Sequence, residues 1–185
     1  MQAAAGISVP HSGIAAKCQP LFYEMPRLKT HLHDEAGTAA LGAALANALT
    51  PGLAIHLHGD LGSGKTTLTR ALLHAAGHTG RVKSPTYTLA EPYTIVLGGA
   101  PVEVIHFDLY RMASPEEFLD AGFRDHFGVD KICIVEWPEK AAPVLPRPDV
   151  EVFLTISGDG RDVELQALSD QGIQCLDRLN FAPNL

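Results

Sequence analysis

The stretch His58-Gly59-Asp60-Leu61-Gly62-Ser63-Gly64-Lys65-Thr66-Thr67 carries the most pointed chemistry in the sequence. Gly59, Gly64, Lys65 and Thr66 satisfy G-x-x-x-x-G-K-[ST], the pattern of a Walker A phosphate loop. Each position has a mechanical task. Glycines let the backbone curl so that successive N–H groups face an anion, and the helix that follows adds its positive end. Lys65 is expected to reach the β and γ phosphates and act as a catalytic cation, and the Thr66 hydroxyl to ligate Mg²⁺. The nucleotide cradle is then Gly59, Asp60, Leu61, Gly62, Ser63, Gly64, Lys65, Thr66 and Thr67.

A loop of this kind works with a second carboxylate that stabilises Mg²⁺ or its water shell, normally at the end of an apolar strand. Asp108 follows "VIHF" and Glu136 follows "ICIV", so both are candidates. Spacing alone does not say which acid meets the metal and which positions water. Solvated strand-end acids are the plain alternative for either. In "SPTYT", residues 84 to 88, hydroxyl residues flank a proline where many P-loop proteins sense the γ-phosphate. Ser and Pro are also ordinary loop residues. "DHFG", Asp125 to Gly128, fits D-x-x-G but falls at a helix end, not after a strand. With no N-K-x-D element to read guanine, ATP is favoured over GTP.

These residues need elements to hold them. "GLAIHL", residues 52 to 57, reads as a buried strand, continuing to 58, and Leu68, Leu72 and Leu73 recur at helical spacing over a helix from 65 to 76, before Gly77. Upstream, Asp34 is a candidate N-cap for a helix with Leu41, Leu45 and Leu49 on one face, ended by Pro51-Gly52. "GGAP" separates two β-rich runs and predicts a hairpin. Ser114-Pro115-Glu116-Glu117 predicts a helix running to about Phe127, and "KICIVEW" another buried strand. A second hairpin turns at Gly158-Asp159-Gly160, and residues 169 to 180 form a short helix or an irregular cap. The fold class is α/β: a single-domain P-loop NTPase with a mixed parallel and antiparallel sheet flanked by helices.

Length and composition agree. The 185 residues suffice for one domain with a full core, and 46% hydrophobic with 19% charged residues is the profile of a soluble globular protein. The net charge of −7 shows no basic face for gripping nucleic acid unaided. Cys18, Cys133 and Cys175 have neither a C-x-x-C pair nor metal-ligand spacing, which fits a reduced cytoplasmic setting. No apolar run approaches the ~18 residues of a membrane span. Among the nine histidines, His31 and His33 lie near the start of the first helix, and His56 and His58 share one side of a strand. None has zinc spacing, so they read as core-edge or solvated residues. Residues 1–28, rich in Ala, Gly, Ser and Pro, are expected to be a poorly ordered extension, and 29–185 the ATPase domain.

"GDLGSGKTT", "VKSPTYTL", "HFDLYR" and "VEWPEK", in this order, resemble the TsaE family, formerly YjeE, over about residues 32 to 168. The resemblance implies a Mg-dependent, weak ATPase of bacterial tRNA threonylcarbamoyladenosine biosynthesis, more active with its partners TsaD and TsaB. In that complex it supports threonylcarbamoyl transfer to the adenosine next to the anticodon, meeting tRNA only indirectly. It gives the phosphate grip to Gly62 through Thr67, Mg²⁺ to Thr66 and Glu136, and a catalytic or water-positioning role to Asp108. Trp137 then serves packing or partner contact, and the segment around Asp34 to Thr38 and the turn leading to Arg161 touch the base or ribose side. Members usually begin just before "HLHDEAGT", so the longer leader here is a departure, with Met25 an alternative start. A P-loop small-molecule kinase is the competing enzyme class; it should carry a lid with several arginines, whereas Arg70, Arg81, Arg111 and Arg124 are scattered. A nucleotide-sensing module with negligible hydrolysis is the third reading.

Overall fold

The computed structural model describes residues 25–179. Strand β1 (Arg27–Leu32) is followed by α1 (Glu35–Ala48), β2 (Ala54–His58) and α2 (Lys65–Ala75). Then come β3 (Ala90–Leu97), β4 (Ala100–Asp108), α3 (Pro115–Asp120), β5 (Lys131–Glu136), β6 (Val150–Ser157), β7 (Gly160–Ala167) and α4 (Asp170–Arg178). The strands make one sheet in the order β1-β7-β6-β2-β5-β4-β3. Its centre, β6-β2-β5-β4, is parallel, and β3, β7 and β1 add antiparallel pairings at the two edges. This is the mixed α/β domain that the sequence predicts.

The central strands are apolar because both of their faces are covered over much of their length. On one face Ile55, Leu57, Ile132 and Ile134 pack with Leu41 and Leu45 of α1 and Leu68, Leu72 and Leu73 of α2. Ile105, Phe107, Cys133 and Val135 fill the other face, beneath Phe118 of α3. Helices α1 and α2 lie so close that a Cβ on Gly42 would stand 2.6 Å from the Ala71 Cβ. Asp34 caps α1, its carboxylate accepting from the Gly37 N–H at 2.9 Å. Both expected hairpins form, turning at Gly98-Gly99 and Gly158-Asp159, and residues 170–178 settle as a helix capped by Ser169.

Two expectations change. Residues 27 and 28 belong to β1, so the fold begins before residue 29, and His31, three residues before the N-cap of α1, lies on that strand. The rest of the expected extension, residues 1–24, lies outside the described residues. The helix expected from Ser114 to Phe127 is α3 followed by a separate 3₁₀ turn, Phe123–His126, because Gly122 takes φ +68° between them. No helix among the described residues is long and apolar enough to cross a membrane.

Candidate active site

The phosphate loop leaves β2 at the C-terminal edge of the parallel strands, where ligands bind in open α/β sheets. Gly59 has φ +141°, and a Cβ there would stand 2.3 Å from the Leu154 carbonyl oxygen, so both conformation and crowding demand glycine. Gly62 and Gly64, at φ +79° and +106°, curl the chain into the start of α2. Leu61, Gly62, Gly64, Lys65, Thr66 and Thr67 line an open pocket of about 390 Å³. Gly59, Asp60 and Ser63 do not line it: the first two offer carbonyls to Lys65 Nζ at 2.6 and 2.9 Å, and the Ser63 side chain is buried.

Lys65 is 4% exposed, and its ammonium also sits 4.0 Å from the centre of the Trp137 ring. Burial pulls its pKa below the ordinary lysine value, while the carboxylates of Glu136, Asp108, Glu139 and Asp60 oppose the shift. Trp137 holds φ +59°, a left-handed turn directly after β5, which aims the ring back over the loop.

Across the pocket stand both strand-end acids, each nearly fully buried. Glu136 accepts from the Thr66 hydroxyl at 3.1 Å through Oε2, and its Oε1 is paired with His106 Nε2 at 2.8 Å. Asp108 Oδ2 accepts from the hydroxyls of Ser84 and Thr86, and Oδ1 from the Tyr110 N–H at 3.1 Å. The "SPTYT" segment therefore closes on Asp108. Sequence motifs assign no role to His106. The signal that could have found it is its place two residues before Asp108, which puts it on the same face of β4.

The donor set fits a metal–phosphate group. A glycine-rich loop with one buried ammonium and a helix N-terminus suits phosphate oxygens. The hydroxyl of Thr66 beside the Glu136 carboxylate is hard-oxygen chemistry suited to Mg²⁺. An adjoining pocket of about 210 Å³ brings Asp34, Glu35, Thr38 and Arg161 together with Gly64 and Thr67. Arg161 fastens this side, its Nε donating to the Ser63 carbonyl at 2.9 Å.

Residues 32–163 match the family model of the threonylcarbamoyl adenosine biosynthesis protein TsaE. A tRNA threonylcarbamoyladenosine biosynthesis protein TsaE of Haemophilus influenzae is 43% identical over 153 residues, which cover 80% of this chain and 94% of that protein. The TsaE protein of Bacillus subtilis is 29% identical over 87% of this chain and 99% of its own length. Among solved structures, the crystal structure of Bacillus YdiB superposes with a TM-score of 0.67 at 25% identity, over 85% of this chain and 96% of that one. On the match across residues 32–163 and the identity to the Haemophilus protein, this chain belongs to the TsaE family, whose business is tRNA threonylcarbamoyladenosine biosynthesis.

Proposed function

We propose that the chain binds MgATP in the phosphate-loop pocket and hydrolyses it slowly, as the ATPase subunit that acts with TsaD and TsaB in threonylcarbamoyl transfer to tRNA. The observation that carries this reading is the convergence of Lys65, the Thr66–Glu136 pair and the buried Asp108 on one pocket. Lys65 supplies a full positive charge to the β and γ phosphates, and the N–H groups of Gly62 to Thr67 supply partial ones. Thr66 and Glu136 are the residues that would hold Mg²⁺, which would neutralise phosphate charge in the pocket. His106 fixes the orientation of Glu136. Asp108, anchored by Ser84, Thr86 and the Tyr110 N–H, orients or deprotonates the attacking water. The pocket holding Asp34, Thr38 and Arg161 accommodates the ribose or base side.

Partner contact is supported by family membership and by the apolar side chains at the pocket's rim, where Leu61 is 71% and Tyr87 86% exposed. Contact there would join partner binding to the site itself, which accords with a low basal rate. A kinase is disfavoured, because Arg111 is the one arginine lining the main pocket among the described residues.

The test is phosphate release by the full chain with and without TsaB and TsaD. Release should rise with both partners, and Lys65→Ala should lower it by at least about 100-fold while keeping a folded far-UV spectrum. Unchanged release in that variant would sink the phosphate-grip reading, and transfer of phosphate to a small molecule would favour the kinase.

A further inference from the structure

A cluster on the opposite side of the sheet is not used by the phosphate pocket. Ile55 and Leu57 face α1 and α2, so the strand's alternation sends His56 and His58 to the other face. Glu151 is the Cα partner of His56 on β6, and its carboxylate leaves the same face. One donor atom from each of His56, His58 and Glu151 lies within 4.8 Å of the other two.

Their polar atoms are poorly satisfied. His56 is 5% exposed and its Nε2 has no hydrogen-bond partner. The buried Nε2 of His58 stands 3.4 Å from Glu151 Oε1, near enough for attraction but without the alignment of a hydrogen bond. A buried polar group left unpaired is costly, so adjacent unpaired imidazole nitrogens beside a carboxylate are unusual unless something shared satisfies them. Protonation does not solve the problem for His56, whose pKa is pushed down to about 3, first by burial and then by the neighbouring His58. A neutral imidazole is the form that ligates metals.

We infer that His56, His58 and Glu151 form a site for a borderline divalent transition ion of the Zn²⁺ class, distinct from the Mg²⁺ position at Thr66 and Glu136. Two imidazoles and one carboxylate suit Zn²⁺, Co²⁺ or Ni²⁺ better than Mg²⁺, and solvent completes the coordination. Ligand atoms around tetrahedral zinc stand about 3.3 Å apart, so a cluster whose ligand atoms lie within 4.8 Å of one another has to contract by up to about 1.5 Å. Side-chain rotation can do this, since His58 and Glu151 each keep 24% of their side-chain surface exposed. Phe153 stacks on the His58 ring at 4.5 Å between centroids and backs it from one side. Sequence spacing missed the group because its carboxylate comes from β6, far along the chain, and meets the histidines through strand pairing. An ion here would tie β2 to β6 at His58, immediately before the first glycine of the phosphate loop.

The full chain, stripped with a chelator and kept in saturating Mg²⁺, is titrated with Zn²⁺ by equilibrium dialysis and with Co²⁺ by visible absorption. One Zn²⁺ per chain is expected. His58→Gln and Glu151→Gln should each weaken binding by at least about 100-fold, because losing a ligand exceeds the tenfold to hundredfold cost of losing a ligand's support. His74→Gln, in the stacked His74–His78 pair away from the cluster, should change nothing. Failure to bind at micromolar Zn²⁺ would overturn the inference, and so would binding lost with His74 and kept without His58 and Glu151. Should the His58 and Glu151 variants unfold, the Co²⁺ spectrum of the native chain decides: nitrogen and oxygen ligation supports the site, and a thiolate charge-transfer band refutes it.

Discussion

Asp108 and Glu136 are Cα partners at the ends of the parallel β4–β5 pair, so their carboxylates leave one face of the sheet side by side. Their surroundings nevertheless differ. Glu136 is joined to the phosphate loop through Thr66, whereas Asp108 is joined to the Ser84–Thr86 segment. Glu136→Gln keeps size but removes charge, and Mg²⁺-dependent ATP affinity should fall. Asp108→Asn should bind MgATP nearly as before and fail in turnover, because only an interaction needed in the transition state is lost. Affinity and single-turnover hydrolysis, measured with TsaB and TsaD present, distinguish the two; interchanged phenotypes would mean interchanged roles.

If Glu136 holds Mg²⁺ as proposed, His106 acts through it as a positioning residue. His106→Leu removes the partner of Glu136 Oε1. The Mg²⁺ concentration for half-maximal hydrolysis should rise about 10–100-fold, the usual cost of losing such support. His106→Gln, which can still donate, should recover part of the loss. Equal defects in both variants at every Mg²⁺ concentration would point to a packing role instead.

With chelator present, His56 makes stability depend on pH. Its folded pKa of about 3 lies below the ordinary 6.5, so between these values the unfolded chain binds the extra proton and stability falls as pH falls. From pH 7 to pH 5 the loss from this group is about 2 kcal/mol. Urea unfolding at both pH values should show His56→Leu losing less than the native chain by about that amount; equal losses would place the proton elsewhere.

Gly42→Ala offers a test of packing. Alanine improves helix propensity by about 1 kcal/mol. The new methyl, however, would stand 2.6 Å from the Ala71 Cβ and 2.8 Å from the Leu72 nitrogen, neither of which is the end of a flexible side chain. Overpacking of this kind costs about 1–3 kcal/mol, and a net loss of stability is expected in chemical denaturation.

The phosphate loop and the strands that end in Asp108 and Glu136 were legible because glycine spacing and apolar runs are local signals. Strand β1 was not. Arg27, Lys29 and His31 alternate with Leu28, Thr30 and Leu32 on an edge strand whose partner, β7, comes from the far end of the chain. Gly122 hid for another reason: the sequence around it keeps a helix-like composition, and the break depends on its adopting positive φ. That Ser84 and Thr86 meet Asp108, and His106 meets Glu136, was equally hidden, since these contacts form only after β4, β5 and the loop before β3 have assembled.

The Lys65–Trp137 contact also makes the protein its own optical gauge. Trp137 is the single tryptophan of the chain, so its emission reports on one place, the roof over the lysine. An ammonium against the indole face perturbs the excited state, and a phosphate that draws Lys65 away from the ring changes that perturbation. If the chain binds nucleotide as proposed, loading should be readable by ultraviolet fluorescence without a dye. Tyr110 packs 4.9 Å from the same ring, so a rearrangement of the rim alters the surroundings of the indole as well.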